Sequence, residues 1–257
     1  MNRLACIEMK ASRAKVHLDE LNREISIYLR KAYTVTRRDD FENMRHICRT
    51  EQTPLPPIIG MLLGEFLYCL RSGLDQAAWN LALSAAKKAN PRDIFFPIVE
   101  DSTTEGFAAI LKRFPDPVAA EIRLFQPDYG GGSPQDHALW QLKFLSNLDK
   151  HKTIPLASTS FPIFMPVNPA ARIDDSFEYA VEVSVPLVDK KDLDFQPSIP
   201  SEIEFGEWKG DIRIPRHRLA DIYGFITCTV IPKLAGFFSD TPESPLSRAD
   251  LIGEVYE

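Results

Sequence analysis

Apolar positions recur near the start of the chain at alternating spacings of three and four: Leu4, Ile7, Ala11, Ala14, Leu18, Leu21, Ile25, Tyr28 and Ala32. That is a heptad seam, with Glu8, Lys15, Glu20 and Arg30 lying off it. A helix of about 30 residues is about 45 Å long at 1.5 Å per residue, so its stripe needs a partner of similar length. The stretch from Ile58 to about Ala89 supplies one. It has no proline, and Leu63, Leu67, Leu70, Leu74, Ala77 and Leu81 make a second seam. Pro54, Pro56 and Pro57 punctuate its start and Asn90-Pro91 its end. Between the two, YTVTRR and ENMRHICR flank Asp39-Asp40 and read as a β-hairpin excursion near 33–50. Matched helices joined by an excursion imply an antiparallel pair.

If Leu67, Leu74 and Leu81 face the first helix, Tyr68 and Trp79 point away from it and call for a second cover. The segment from Ser133 to Lys150 is the candidate. Ser133-Pro134-Gln135-Asp136 reads as its N-cap, and Leu139, Leu142, Leu145 and Leu148 form an apolar stripe beside Trp140 and Phe144. Two shorter helices are predicted before it, one behind a capping box Ser102-Thr103-Thr104-Glu105, the other opening at Asp116-Pro117. Beyond His151 the texture changes. TIPLAST, FEYAVEVSVPLV, SEIEFGEW and YGFITCTVI are short β-branched and aromatic runs punctuated by proline, and PLSRADLIGEVYE reads as a terminal helix. The expectation is an α+β fold, with a bundle of two long antiparallel helices plus a third, then a small, mostly antiparallel sheet. Residues 1–152 would form the bundle and 153–257 a β-rich region packed on it.

Composition changes this picture little. The 257 residues are 44% hydrophobic and 26% charged, and the net charge of -6 gives no general attraction for nucleic acid or an anionic membrane. The N-terminus lacks a signal-peptide h-region, and no stretch reads as about 18 uncharged apolar residues. Cys6, Cys48, Cys69 and Cys228 show no paired spacing; Cys6, Cys69 and Cys228 read as small buried hydrophobes in a reducing cytoplasm.

Candidate chemistry lies in two places. LRSGLDQAAW puts Arg71 and Asp75 four apart on one helix face, with Trp79 continuing the line. LSNLDKHK puts Asn147 and His151 on one face with Lys150 in the final turn. If the helices meet, Arg71, Asp75, Asn147 and His151 would offer a general acid/base, and Trp79 and Lys150 binding contacts, Lys150 joining Arg71 as a cation for a phosphate. Helical bundles also use such clusters simply to satisfy polar groups and fix register. The run Lys209, Arg213, Arg216 and Arg218, beside Trp208 and His217, reads as a solvated basic face or a weak RNA contact. Gly130-Gly131-Gly132-Ser133 reads as a connection, lacking the lysine of a P-loop. His17, His46 and His137 have no metal-ligand spacing, no cofactor is expected, and G-x-S-x-G is absent.

LRSGLDQAAW with LSNLDKHK resembles a group of largely uncharacterised bacterial proteins that pair an LRS-x-LD helix motif with a later L-x-N-x-DKH motif, over about residues 58 to 152. Arg71-Ser72 is also similar to the start of the HEPN signature, in which an arginine, a polar residue and a histidine share one helix. That likeness implies ribonuclease chemistry in toxin or phage-defence systems, but Gln76 stands where the histidine would fall, and glutamine is no general base. Three readings follow: a non-catalytic interaction module whose long helices support a homodimer, a HEPN-like nucleic-acid-processing enzyme acting on RNA, and a small-ligand binder.

Overall fold

The computed structural model describes residues 3–31, 33–40, 42, 45–83, 93–151, 156–159, 172–177, 180–186, 203–206 and 212–238, with the backbone alone for 33–40, 45–52, 151, 156–159, 172–177 and 180–186. Helix α1 (Arg3–Leu29) buries Ile7, Ala14, Leu18, Leu21, Ile25 and Tyr28, all on the seam. Helix α2 (Pro57–Leu83) matches it at 27 residues, about 40 Å. The two run antiparallel: Lys10 Nζ donates to Ser72 Oγ at 2.6 Å, and at the other end Tyr28 Oη donates to the Thr53 carbonyl at 2.9 Å. The expected continuation of α2 to Ala89 lies outside the described residues.

Helix α2 buries Leu63, Leu67, Leu70 and Leu74, but also Leu62, Phe66, Cys69 and Ala78, too wide an arc for one partner. Its length and composition would suffice to cross a bilayer, yet 56% of its most apolar window is buried inside the protein. The second cover is α5 (Ala138–His151), which also runs antiparallel to α2, with Asp149 against Gly64 and Ser146 near Arg71. Trp79 packs part-buried against the core, whereas Tyr68 stays 63% exposed beneath the Lys10 ammonium, so the expectation of a covered Tyr68 fails. Tyr68 lies on the edge of α2 that meets Lys10 of α1.

Helices α3 (Glu105–Leu111) and α4 (Asp116–Leu124) precede α5. The cap of α3 is Thr104, whose hydroxyl accepts from Phe107 N–H, not Ser102, which instead donates to Asp128. Pro134–Asp136 forms a separate 3-10 turn without a side-chain cap from Ser133. The start of α5 is satisfied by His137 Nδ1 accepting from Leu139 N–H.

The hairpin β1 (Tyr33–Asp40) and β2 (Arg45–Gln52) is antiparallel, and β2 also pairs with β5 (Ala180–Pro186), itself beside β4 (Arg172–Phe177). This four-stranded sheet, ordered β1-β2-β5-β4, crosses the expected division at residue 152. A second sheet orders β3 (Leu156–Thr159), β6 (Ile203–Gly206) and β7 (Arg213–Pro215). Gly206 is needed there, since a Cβ would collide with the Ile212 carbonyl.

The run YGFITCTVI is not a strand. It lies within α6 (Arg218–Phe225), a π-helical turn (Ile226–Val230) and α7 (Ile231–Ala235). Leu219, Ile222, Ile226, Val230 and Leu234 are all buried, a helical period that overrides the β-branched composition. Pro232 has no N–H to give and crowds the carbonyl one turn back, which accounts for the wider turn. Cys228 consequently faces solvent. Helix α6 packs against both α1 and α5, so α1, α2, α5 and α6 close a ring around one core.

Candidate functional site

The extended segment Ile94–Glu100 belongs to no sheet, so its backbone polar groups need side-chain partners. Arg71 and Asp75 provide two of them. Phe96 N–H donates to Asp75 Oδ1 at 3.0 Å, Arg71 Nη2 donates to the Phe96 carbonyl at 2.9 Å, and the two side chains pair at 3.1 Å. Fully buried Gln126 holds the next residues: its Nε2 donates to the Pro97 carbonyl at 3.1 Å, and its Oε1 accepts from Val99 N–H at 2.9 Å. Trp140 Nε1 then donates to Glu100 at 2.8 Å, and Arg113 donates to the Asp93 carbonyl. The Arg71–Asp75 pair is thus a backbone clamp that fixes Phe96, itself fully buried, against the bundle.

The clamped segment forms one wall of a cleft of about 230 Å³, with α2 and α5 as the others. Lys143, Ser146, Asn147 and Lys150 line it from α5, Arg71 from α2, and Phe95 and Ile98 from the segment. The α5 residues sit at spacings of three, one and three, which places them on one helical face. The side chains of Lys143, Asn147 and Lys150 make no hydrogen bond or ion pair among the described residues. Both contacts of Arg71 use Nη2, leaving its Nε and Nη1. The Ser146 hydroxyl is buried and has no partner among the described residues. Asp149 is not among the residues lining the cleft; its carboxylate packs against Gly64 of α2. Burial there, and then the charge of Glu65, push its carboxyl above the usual range.

Of the residues expected to converge, Arg71, Asn147 and Lys150 share this cleft. Asp75 stands beside it but is held by Phe96 and Arg71. His151 ends α5, and its side chain lies outside the described residues. Trp79 and Gln76 do not line the cleft. Lys209 and Trp208 also lie outside the described residues, while Arg213, Arg216 and Arg218 of that basic run each have a partner. Arg213 pairs with Glu204 at 3.8 Å, Arg216 Nε donates to Asn22 at 2.8 Å, and Arg218 pairs with Asp221 at 3.3 Å and Asp136 at 3.8 Å. Burial also lowers the Arg216 pKa.

No family model, curated protein or solved structure matches the chain.

Lys143, Ser146, Phe95 and Gln126 were not evident from the motifs. For the first two a signal existed, because they lie on the Asn147–Lys150 face of the same helix. A larger cavity of about 490 Å³ opens between the start of α5 and α6, beside Asp136, His137, Gln141, Arg218 and Asp221. Its arginine is neutralised by Asp136 and Asp221, and His137 is wedged edge-on against Phe225, ring centroids 4.9 Å apart. Among the described residues no three His, Cys, Asp or Glu side chains gather as a metal site. The cationic cleft joins an unpaired buried hydroxyl to three cations.

Proposed function

We propose that this chain is a non-catalytic binding protein that holds an anionic ligand in the cleft between α2 and α5. The observation that carries this is the Ser146 hydroxyl, buried without a partner and lining the same cleft as Arg71, Lys143 and Lys150. A buried hydroxyl left unpaired costs about 1–3 kcal/mol, and a ligand oxygen would satisfy it. The two lysines have no acidic neighbour in the cleft lining, so an anion gains charge-assisted hydrogen bonds at little loss to existing pairs. Asp75, the ion-pair partner of Arg71, is committed to the Phe96 clamp, which supports binding over proton transfer.

Calorimetric titration with inorganic pyrophosphate at low ionic strength tests this reading. Replacing Lys143→Ser and Lys150→Ser together is expected to weaken binding about tenfold or more. Unchanged affinity in the double variant would sink the proposal.

Self-association is a second reading, favoured by one observation. Met9, Val16 and Ile27 are exposed on α1 at spacings of seven and eleven residues, one stripe facing away from the core. Light scattering across a concentration series should then show a dimer, reduced to monomer by Val16→Glu. A monomeric mass at every concentration removes this reading.

A further inference from the structure

Resting on the anion-binding reading above, we infer that the ligand is a phosphate ester bearing a flat aromatic ring, the class to which nucleotides belong. The cleft is about 230 Å³, below the roughly 300–1,000 Å³ of pockets that enclose a whole drug-sized ligand. It therefore takes the charged part of a ligand and leaves the remainder outside. What the remainder meets is Phe95. In the sequence IFFPI, Ile94 and Phe96 turn inward and Phe95, between them, is 38% exposed at the rim. An exposed aromatic side chain alone is ordinary. This one is carried on backbone fixed at the adjacent residue by two charge-assisted hydrogen bonds, from Arg71 and to Asp75. The ring is thus held beside Arg71 and the two lysines.

Cations beside an accessible, pre-positioned aromatic face are the elements that hold a phosphate and stack a base. Ile98, buried on the same wall, adds to the apolar lining of the cleft. Sugar and base would lie outward, with the phosphate toward Ser146 and Asn147. A free nucleotide and the phosphorylated end of a nucleic-acid strand present this same chemistry.

Four probes separate the parts: inorganic phosphate, ribose 5-phosphate, AMP, and a short oligonucleotide with a 5′-phosphate, each titrated calorimetrically into the full chain. AMP is expected to bind about tenfold tighter than ribose 5-phosphate, since stacking one base contributes about that much. Phe95→Ala should abolish this advantage, weakening AMP about tenfold more than ribose 5-phosphate or phosphate. Phe95 is 38% exposed, and far-ultraviolet circular dichroism is to check that the variant folds. Equal affinity for AMP and ribose 5-phosphate, or equal loss of both in Phe95→Ala, overturns the stacking inference alone. Failure of all four probes to bind, or binding indifferent to Lys143→Ser and Lys150→Ser, overturns the anion site beneath it. An oligonucleotide that binds more tightly than AMP identifies a strand end as the source, and equal affinity identifies the free nucleotide; either upholds the shared chemistry.

Discussion

Asp75→Ala separates a structural clamp from a catalytic carboxylate. Asp75 Oδ1 accepts the Phe96 N–H at 3.0 Å, and Phe96 itself is fully buried. A hydrogen bond to a charged group contributes about 1.5–3 kcal/mol. The Arg71–Asp75 ion pair adds at most about 0.5 kcal/mol, because the Asp75 side chain is 38% exposed and screened by solvent. The loss should therefore be about 2–3 kcal/mol, which lowers the melting temperature by roughly 5–10 °C for a chain of this size. Asp75→Asn keeps an oxygen acceptor without the charge and should lose only about 1 kcal/mol. Urea denaturation of the three proteins gives these differences, and hydrogen exchange at the Phe96 amide locates them. A loss below about 0.5 kcal/mol in Asp75→Ala, with Phe96 protection unchanged, would refute the clamp.

Gln126→Leu should destabilise by about 2–4 kcal/mol in urea, since it leaves the Val99 N–H and Pro97 carbonyl unpaired beside a buried side chain. Ser146→Ala should do the reverse, stabilising the ligand-free protein by about 0.5–1.5 kcal/mol by removing a buried unpaired hydroxyl and raising helix propensity. The same change should weaken pyrophosphate binding, and a variant that is less stable in the absence of ligand contradicts the reading of Ser146. Burial holds the His137 imidazole below its ordinary 6.5. Below that pH the unfolded chain takes up a proton that the folded chain refuses, so stability falls as pH drops from 6.5 through the folded pKa. His137→Asn should flatten that fall in melting curves collected across the interval, and an unaltered pH profile would exclude His137 as its source.

The two long helices were legible because their apolar spacing holds over many turns and admits no strand. The helix at 218–235 was not, since Tyr223, Ile226, Thr227, Val230 and Ile231 carry strand-favouring side chains. Its burial pattern, decided by packing on α1 and α5, carried the answer that local composition concealed. The sheet shared across residue 152 was hidden for a related reason. Pairing of β2 with β5 joins segments more than a hundred residues apart, and neither run specifies its partner. In the cleft, Arg71, Asn147 and Lys150 were readable as faces of two helices that had to meet. Phe95 and the role of Asp75 were not, because both follow from where an irregular segment crosses α2, and no periodicity records that path.

The anion site is tested most directly by a two-dimensional amide NMR titration with inorganic pyrophosphate. Saturable shifts centred on Arg71, Phe95, Ser146 and Asn147 are the predicted result. Shifts scattered over surface lysines such as Lys31 and Lys233, or none at all, would contradict it.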